Sequence, residues 1–595
     1  MPIERRLVAV RALMAEAGYD ALIVPRADEY LGEYLPAHSE RLRWVSGFAG
    51  SAGVVVILPD RAAIFVDGRY TVQVRHQVPE TLYEYHHLLD EPPVQWLVQQ
   101  LPAGAVIAVE PRIHTLNWYR DAQSTFCEAE LVLKATDRNP IDSCWQDRPA
   151  PEVSPVILLD DAYTGESSDR KRRRIAARVA EQGADAALIF AIDSVSWLLN
   201  IRGTDVPMTP VVQSLAILES DGRVTLLVDE RRIPEGFAAH VGEGVEVLPE
   251  TRAAEILARY GGKTVLADPH TANAWSQLSL EAGGATLLAG DDPVLLPKAC
   301  KNAVEIAGTR RAHIRDAVAK ITFLCWLDAE VDAGRLHDEA VLADRLLSLR
   351  QEGEYFHTSS FDTISAAGEN AAMCHYNHRN AEPASLPSNS VYLVDSGGQY
   401  TDGTTDITRT VAIGDPGPDI RRMYTLVLKG NIALSSVRFP VGTSGTQLDI
   451  LARQFLWQQG FDYDHGTGHG GGTFLSVHEA PQRIGKNPSS VALRPGMILS
   501  NEPGYYRDGQ FGIRCENLVV IRESEPGGTQ ETPMLEFDTL TLVPFDNRLL
   551  DMSLMSASEI DWLDKYHRRV LQEVGPRLKT ETLEWLQRAT RPLAK

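Results

Sequence analysis

VYLVDSGGQYTDGTTDITRT, residues 391 to 410, opens as an apolar strand (Val391, Tyr392, Leu393, Val394) and turns through Gly397-Gly398. β-Branched residues resume from Thr404 to Val411, so the pattern predicts a hairpin-like pair of strands. Asp395 and Asp406 fall on the two arms, and pairing the arms would bring their carboxylates to one place. A carboxylate in an apolar strand costs free energy unless a positive charge meets it. The charge expected here is a metal ion.

Further candidate ligands lie downstream. His465-Gly466-Thr467-Gly468-His469-Gly470-Gly471-Gly472 places two histidines in a Gly-rich run, and His478-Glu479 follows. Asn501-Glu502-Pro503-Gly504 sets an acid at the end of the apolar run Met497-Ile498-Leu499. Arg514-Cys515-Glu516-Asn517 sets another just before Leu518-Val519-Val520-Ile521. Each segment alone has an ordinary reading: a strand-end Glu is commonly solvated or salt-bridged, and a Gly-rich run is commonly a loop. Phosphate binding by that run lacks the GxxxxGK[ST] pattern. Together, two Asp, one His and two Glu suit two divalent ions about 3.5–4 Å apart. Carboxylates favour harder ions, so Mn²⁺ is expected, with Zn²⁺ or Co²⁺ able to bind. Clustered carboxylates without metal would repel, and some would stay protonated. Two divalent ions cancel that charge and leave room for a bridging hydroxide.

At 595 residues the chain is too long for one core, and about three domains are expected. Hydrophobic residues at 44% and charged residues at 23% are those of a globular protein. A net charge of −22 disfavours nucleic acid and anionic membrane as partners. The N-terminus leads into an amphipathic pattern without the apolar core of a signal peptide. No apolar run approaches the roughly 20 residues that span a bilayer. Cys127, Cys144, Cys300, Cys325, Cys374 and Cys515 lack CxxC spacing and read as reduced thiols of a cytoplasmic protein.

A helix is expected from Arg5 to Ala17, stopped by Gly18. Strands follow at Ala21–Val24, Gly53–Leu58 and Ala62–Val66. The next block repeats this layout: Glu16-Ala17-Gly18-Tyr19-Asp20-Ala21 is answered by Glu181-Gln182-Gly183-Ala184-Asp185-Ala186. Trp44 is answered by Trp197, and Phe65-Val66-Asp67-Gly68-Arg69 by Leu227-Val228-Asp229-Glu230-Arg231. Similar but unequal offsets indicate duplicated domains with altered loops rather than a solenoid. Asp67 and Arg69 are expected to form a structural ion pair. Helices are expected from Lys301 to Ala333 and from Ala340 to Arg350, then short strands and Gly-rich turns from Phe361 to Phe545. The tail from Ser558 carries helix signals broken at Gly575-Pro576, as a cap or a dimer element. The expected boundaries are 1–155, 156–298, 299–549 and a C-terminal helical extension over 550–595.

YLVDSGGQYTDGTTDITRT, HGTGHG, SNEPGYY and GIRCENL together resemble the catalytic motifs of the Xaa-Pro aminopeptidases (aminopeptidase P). That family belongs with prolidase and methionine aminopeptidase among the pita-bread metallopeptidases. WVSGFAGSAG (Trp44 to Gly53) and FVDGRY (Phe65 to Tyr70) extend the resemblance over nearly the whole chain, to the long three-domain cytosolic type. The resemblance implies an α/β chain of α+β character: two related creatinase-like N-terminal α/β domains, then a pita-bread catalytic domain. It implies a homodimeric aminopeptidase whose metal-bridging hydroxide hydrolyses the N-terminal Xaa-Pro bond of peptides with proline second. By motif, Asp395, Asp406, His469, Glu502 and Glu516 would hold two metals. Asp406 and Glu516 would bridge both ions, with Asp395 on one and His469 and Glu502 on the other. Glu502 would also carry the proton to the departing proline nitrogen. His375, His465 and His478 would handle substrate or protons, and Arg514 would orient its neighbours.

Two positions depart from the family pattern: GHGGG stands for a GHGVG-like run, and VHEAP for VHEGP. The extra glycine is expected to loosen the loop beyond His469, and Ala480 to crowd a turn that wanted positive φ. The rival readings are prolidase, which cleaves dipeptides only, and a non-catalytic peptide- or partner-binding protein on the same fold.

Overall fold

A computed structural model describes residues 1–525, 527–529 and 531–593, so the last two residues of the expected 550–595 extension lie outside the described residues. By its internal contacts the chain forms two compact units: residues 1–161 with 166–295, and residues 162–165 with 296–595.

In the first unit, the opening helix Ile3–Ala17 buries Leu7, Val10 and Met14 and ends at Gly18, where φ is 70°. A glycine takes that left-handed cap without steric penalty. Two six-stranded sheets follow. The first comprises Ala21–Pro25, Val54–Ile57, Ala62–Val66, Glu84–His87, Val106–Val109 and Val132–Ala135. The second comprises Ala186–Ile189, Leu215–Glu219, Val224–Leu227, Val245–Leu248, Thr264–Ala267 and Thr286–Ala289. Counted one to six in chain order, the strands of both sheets lie in the order 4-3-2-1-5-6. The pairing sense matches strand for strand, with 1–2 and 2–3 antiparallel and 3–4, 1–5 and 5–6 parallel.

The repeated sequence strings occupy equivalent points. Asp20 Oδ2 accepts from Val106 N at 2.7 Å, and Asp185 Oδ2 accepts from Thr264 N at 2.8 Å, each tying the start of strand one to strand five. Asp67 pairs with Arg69 at 2.7 Å and Asp229 with Arg231 at 2.5 Å. These ion pairs fix the turn after strand three in each repeat. The duplication extends from residue strings to topology.

The second unit begins with the helix Ala303–Asp332, started by a reciprocal capping box of Asn302 and Glu305. Ser390–Ser396 lies between Ile364–Ala367 and Ile407–Ile413 in one antiparallel sheet. A larger sheet runs in the order Arg438–Pro440, Met534–Thr539, Asn517–Glu523, Ile498–Asn501, Gly468–Gly470, Glu479–Ile484. The hairpin Gly504–Arg507 with Phe511–Arg514 stands beside them.

The expected pairing of the two arms holds, with Asp395 opposite Thr408, but the turn is more elaborate than Gly397-Gly398. The chain inserts a second small hairpin, Gly398–Tyr400 against Gly403–Thr404. Its tip is held because Asp402, 3% exposed, pairs with Arg315 and with Arg311. Gly397 is required by close approach: a Cβ there would lie 1.9 Å from Thr405 O.

The tail forms the helices Ala557–Val574 and Thr580–Ala589, broken at Gly575-Arg577 by a 3₁₀ turn. Leu563, Tyr566, Val570, Val574 and Leu586 join the same hydrophobic cluster as Tyr392 and Val394. The tail is therefore part of the second unit's core. Among the described residues, no helix is long and apolar enough to cross a membrane.

Candidate metal centre

The two sheets and the hairpin of the second unit deliver five side chains to one buried point. Asp395 is the next-to-last residue of the strand Ser390–Ser396, and Asp406 immediately precedes the strand Ile407–Ile413. His469 is the middle residue of Gly468–Gly470. Glu502 follows Ile498–Asn501, and Glu516 links Phe511–Arg514 to Asn517–Glu523. Their potential donor atoms fall into three overlapping groups within 4.8 Å: Asp395, Asp406 and Glu516; His469, Glu502 and Glu516; Asp406, His469 and His478.

Local hydrogen bonds orient this set. His469 Nδ1 donates to Gly470 O at 3.0 Å, which leaves Nε2 to face Asp406 Oδ2 at 3.3 Å and Glu502 Oε1 at 3.6 Å. Ser500 Oγ donates to Glu502 Oε1 at 3.0 Å and accepts from His469 N at 2.9 Å. Thr408 Oγ1 donates to Glu516 Oε2 at 2.7 Å. Arg514 Nη2 donates to Asp395 Oδ2 at 2.6 Å. Asp395 Oδ1 and Asp406 Oδ1 are buried without any hydrogen-bond partner.

The electrostatics are those of crowded acids. Burial raises the Glu516 pKa well above the carboxylate range, and Asp406, Asp395 and Glu502 raise it further. Burial likewise raises Asp406, with His469 opposing it, and raises Glu502, with His469 and Arg514 opposing it. Burial alone would lower His469, but the Asp406 hydrogen bond and the Glu502 charge carry it to about 9. Four carboxylates face one arginine and two imidazoles, those of His469 and His478. Two orphaned acceptor oxygens and excess negative charge make the oxygen-rich donor set fit divalent cations.

The remaining expected residues sit around this point. His478 meets His469 edge to face at 4.3 Å between ring centroids. His465 Nε2 bonds Tyr506 OH at 2.8 Å, and Arg514 Nη1 donates to the same hydroxyl at 2.8 Å. His375 is half-buried and lies outside the three donor groups, but the carbonyl of the adjacent Cys374 accepts from Arg514 Nη1 at 3.3 Å. Arg514 bonds Asp395 and Thr408 directly and reaches Glu516 through Thr408. Thr408, Ser500 and Tyr506 are functional neighbours that sequence reading missed. Tyr506 was visible within SNEPGYY, and Gly504 explains its access: a Cβ there would lie 2.5 Å from the Tyr506 hydroxyl.

Of the two departures from the family pattern, the structure overturns the crowding expected at Ala480. Gly471 N donates to Ile498 O at 3.1 Å, which ties the Gly-rich segment to its neighbouring strand. Ala480 is absent from the residues of positive φ, so its Cβ meets no left-handed turn.

The profile of metallopeptidase family M24 matches residues 307–523, and that of its C-terminal region matches 533–593. Creatinase/prolidase N-terminal domain profiles match residues 6–136 and 147–305. A probable Xaa-Pro aminopeptidase P of Tuber melanosporum is 37% identical over 99% of both chains. The chain belongs to metallopeptidase family M24, in its Xaa-Pro aminopeptidase group. Aminopeptidase P1 of Arabidopsis thaliana is 35% identical, again over 99% of each chain. Among solved structures, the X-prolyl aminopeptidase of Caenorhabditis elegans, described as a cytosolic enzyme with a di-nuclear active site, superposes over 100% of both chains. Its TM-score is 0.94 at 34% identity. The duplicated N-terminal domains and the pita-bread unit of this metallo-aminopeptidase are thus those of its family.

Proposed function

We propose that this M24 metallopeptidase hydrolyses the N-terminal Xaa-Pro bond of peptides at a dinuclear centre. The observation that carries the reading is the overlap of the three donor groups, in which Asp406, His469 and Glu516 are each shared by two. Asp395, Asp406, His469, Glu502 and Glu516 would hold two divalent cations. The oxygen-rich set favours Mn²⁺, with Zn²⁺ or Co²⁺ able to substitute. When bound, such a pair supplies Lewis acidity and a water acidified toward neutral pH.

The chain's own residues would do the rest. Glu502 takes the proton of the attacking water and returns it to the departing proline nitrogen. Its Oε1 is already steered by Ser500 Oγ at 3.0 Å. His478 and His375 donate to the oxyanion that develops on the scissile carbonyl. His465, held by Tyr506, orients the peptide. Arg514 aims Asp395 through the contact between its Nη2 and Oδ2 at 2.6 Å. The proline nitrogen carries no N–H, so its recognition rests on shape. The family relationship and the described cytosolic neighbour support a cytoplasmic enzyme, and we extend the reading to a homodimer acting on peptides with proline second.

The test is hydrolysis of Xaa-Pro-Xaa peptides by chelated protein with and without Mn²⁺, beside an Xaa-Pro dipeptide. Metal-restored release of the first residue from the longer peptides is expected. Cleavage confined to the dipeptide would make the protein a prolidase.

A further inference from the structure

The first unit contains a cavity of about 530 Å³, remote in sequence from the metal-centre motifs. It opens at the carboxyl ends of the parallel strands Val106–Val109 and Val132–Ala135. Open α/β sheets commonly hold ligands in this position. Glu110, directly after the first of these strands, lines the cavity and is only 5% exposed. Asn139 bonds its carboxylate, but Glu110 Oε2 has no hydrogen-bond partner. A buried acceptor left without a donor is destabilising, and a ligand donor would remove that cost.

The surrounding charges are unevenly used. Asp142 is satisfied: it accepts from Arg41 at 2.7 and 2.9 Å and pairs with Arg148 at 2.7 Å. Arg112 gives one hydrogen bond to Asp137 O at 3.3 Å and lies 4.1 Å over the Trp275 ring, so most of its guanidinium fork remains open. Arg138 also lines the cavity, is exposed, and makes no ion pair with a described residue. The lining therefore combines an unsatisfied buried acceptor with unsaturated guanidinium donors. Its arginines disfavour a bare cation, and Glu110, Asp137 and Asp142 disfavour a bare anion.

We propose that this cavity binds a small zwitterion, an α-amino acid or short peptide, with its ammonium on Glu110 and its carboxylate on Arg112 and Arg138. Guanidinium forks match carboxylates bidentately, and Arg112 is held flat by its tryptophan. The assignment does not depend on the catalytic reading.

The test is calorimetric titration of the metal-loaded enzyme with alanyl-alanine. Glu110→Gln and Arg138→Ala should each weaken a binding component by at least about tenfold, the scale of one lost charge-assisted contact. Acetate alone and ethylamine alone should bind at least as much more weakly. Both variants should cleave Xaa-Pro-Xaa peptides at the wild-type rate without the probe, and Arg138→Ala, on an exposed side chain, tests the site even if Glu110→Gln misfolds. Equal binding by wild type and the folded variants would overturn the proposal. So would full-strength binding of acetate alone, which would make this an anion site.

Discussion

Arg514 Nη2 meets Asp395 Oδ2 at 2.6 Å, with the arginine 2% and the aspartate 7% exposed. The same guanidinium reaches Thr408 Oγ1 at 3.0 Å, and Thr408 Oγ1 donates to Glu516 Oε2 at 2.7 Å. One buried cation thus orients two candidate ligands that arrive from different strands. Arg514→Lys keeps the charge but loses the fork. It should weaken Mn²⁺ binding by about 10–100-fold, as losses of outer-shell partners do, while thermal unfolding of the loaded protein stays cooperative. Unchanged metal affinity by calorimetry would remove Arg514 from this role.

Glu502→Gln should preserve the fold while reducing kcat by about 10²–10⁴-fold, the usual scale of a general acid–base group. Single-turnover rates on an Xaa-Pro-Xaa peptide, measured with metal loading checked, decide it. Wild-type turnover would reassign the proton transfer.

Tyr506 joins His465 to Arg514 through one hydroxyl, with both contacts at 2.8 Å. Tyr506→Phe removes both hydrogen bonds and leaves His465 Nε2 without its anchor. We expect a destabilisation of about 1–3 kcal/mol and a rise in KM larger than the fall in kcat, because the proposed function has His465 orienting the peptide. Steady-state kinetics on a peptide series would read the split.

Gly397→Ala would push a methyl group to 1.9 Å from Thr405 O and 2.2 Å from Ser360 Oγ. The small hairpin between the arms must then shift, and Asp395 and Asp406 shift with it. Metal-dependent stabilisation in a thermal melt should be largely lost in this variant. A wild-type gain on adding Mn²⁺ would show that the two carboxylates hold their places without close approach at Gly397.

Asp28 carries a predicted pH signature in the first unit. It is fully buried, accepts from Tyr30 N at 3.1 Å, Gly32 N at 2.9 Å and Gln213 Nε2 at 3.0 Å, and burial raises its pKa to about 6. A carboxyl whose folded pKa is raised contributes stability below its unfolded pKa and loses it as pH rises through the folded value. Wild type should therefore lose about 3 kcal/mol relative to Asp28→Asn between pH 4 and pH 7, since the shift spans about two units. Denaturant unfolding of both proteins across that range would show it. A flat difference would place the Asp28 pKa in the ordinary range.

Much of the site was legible before any coordinates. Asp395, Asp406, Glu502 and Glu516 each stood at the edge of an apolar run, where a charge needs a partner, and such partners tend to be one another's neighbours around a metal. The repeated Gly-Tyr-Asp-Ala and Gly-Ala-Asp-Ala strings marked the start of strand one in both sheets, because Asp20 and Asp185 each cap strand five. The tip of the Asp395–Asp406 segment was not legible. It is set by Arg311 and Arg315, far away in sequence, which bury Asp402. The tail was expected to be a cap or dimer element, and what its helices cover, the core that Tyr566 and Leu586 join, was not legible. Helical periodicity shows which face is apolar but not what covers it.

By itself, then, the sequence determined which residue types stand at strand ends, where the chain duplicates itself, and which family this enzyme belongs to, because these depend on local pattern and order along the chain. Only the tertiary structure decided that Tyr506 bridges His465 to Arg514, that Thr408 and Ser500 aim Glu516 and Glu502, and that Glu110 lines a cavity with one oxygen unserved. Those relationships join residues tens to hundreds of positions apart. A hydrogen bond is set by distances of about 3 Å in space, which no local pattern encodes.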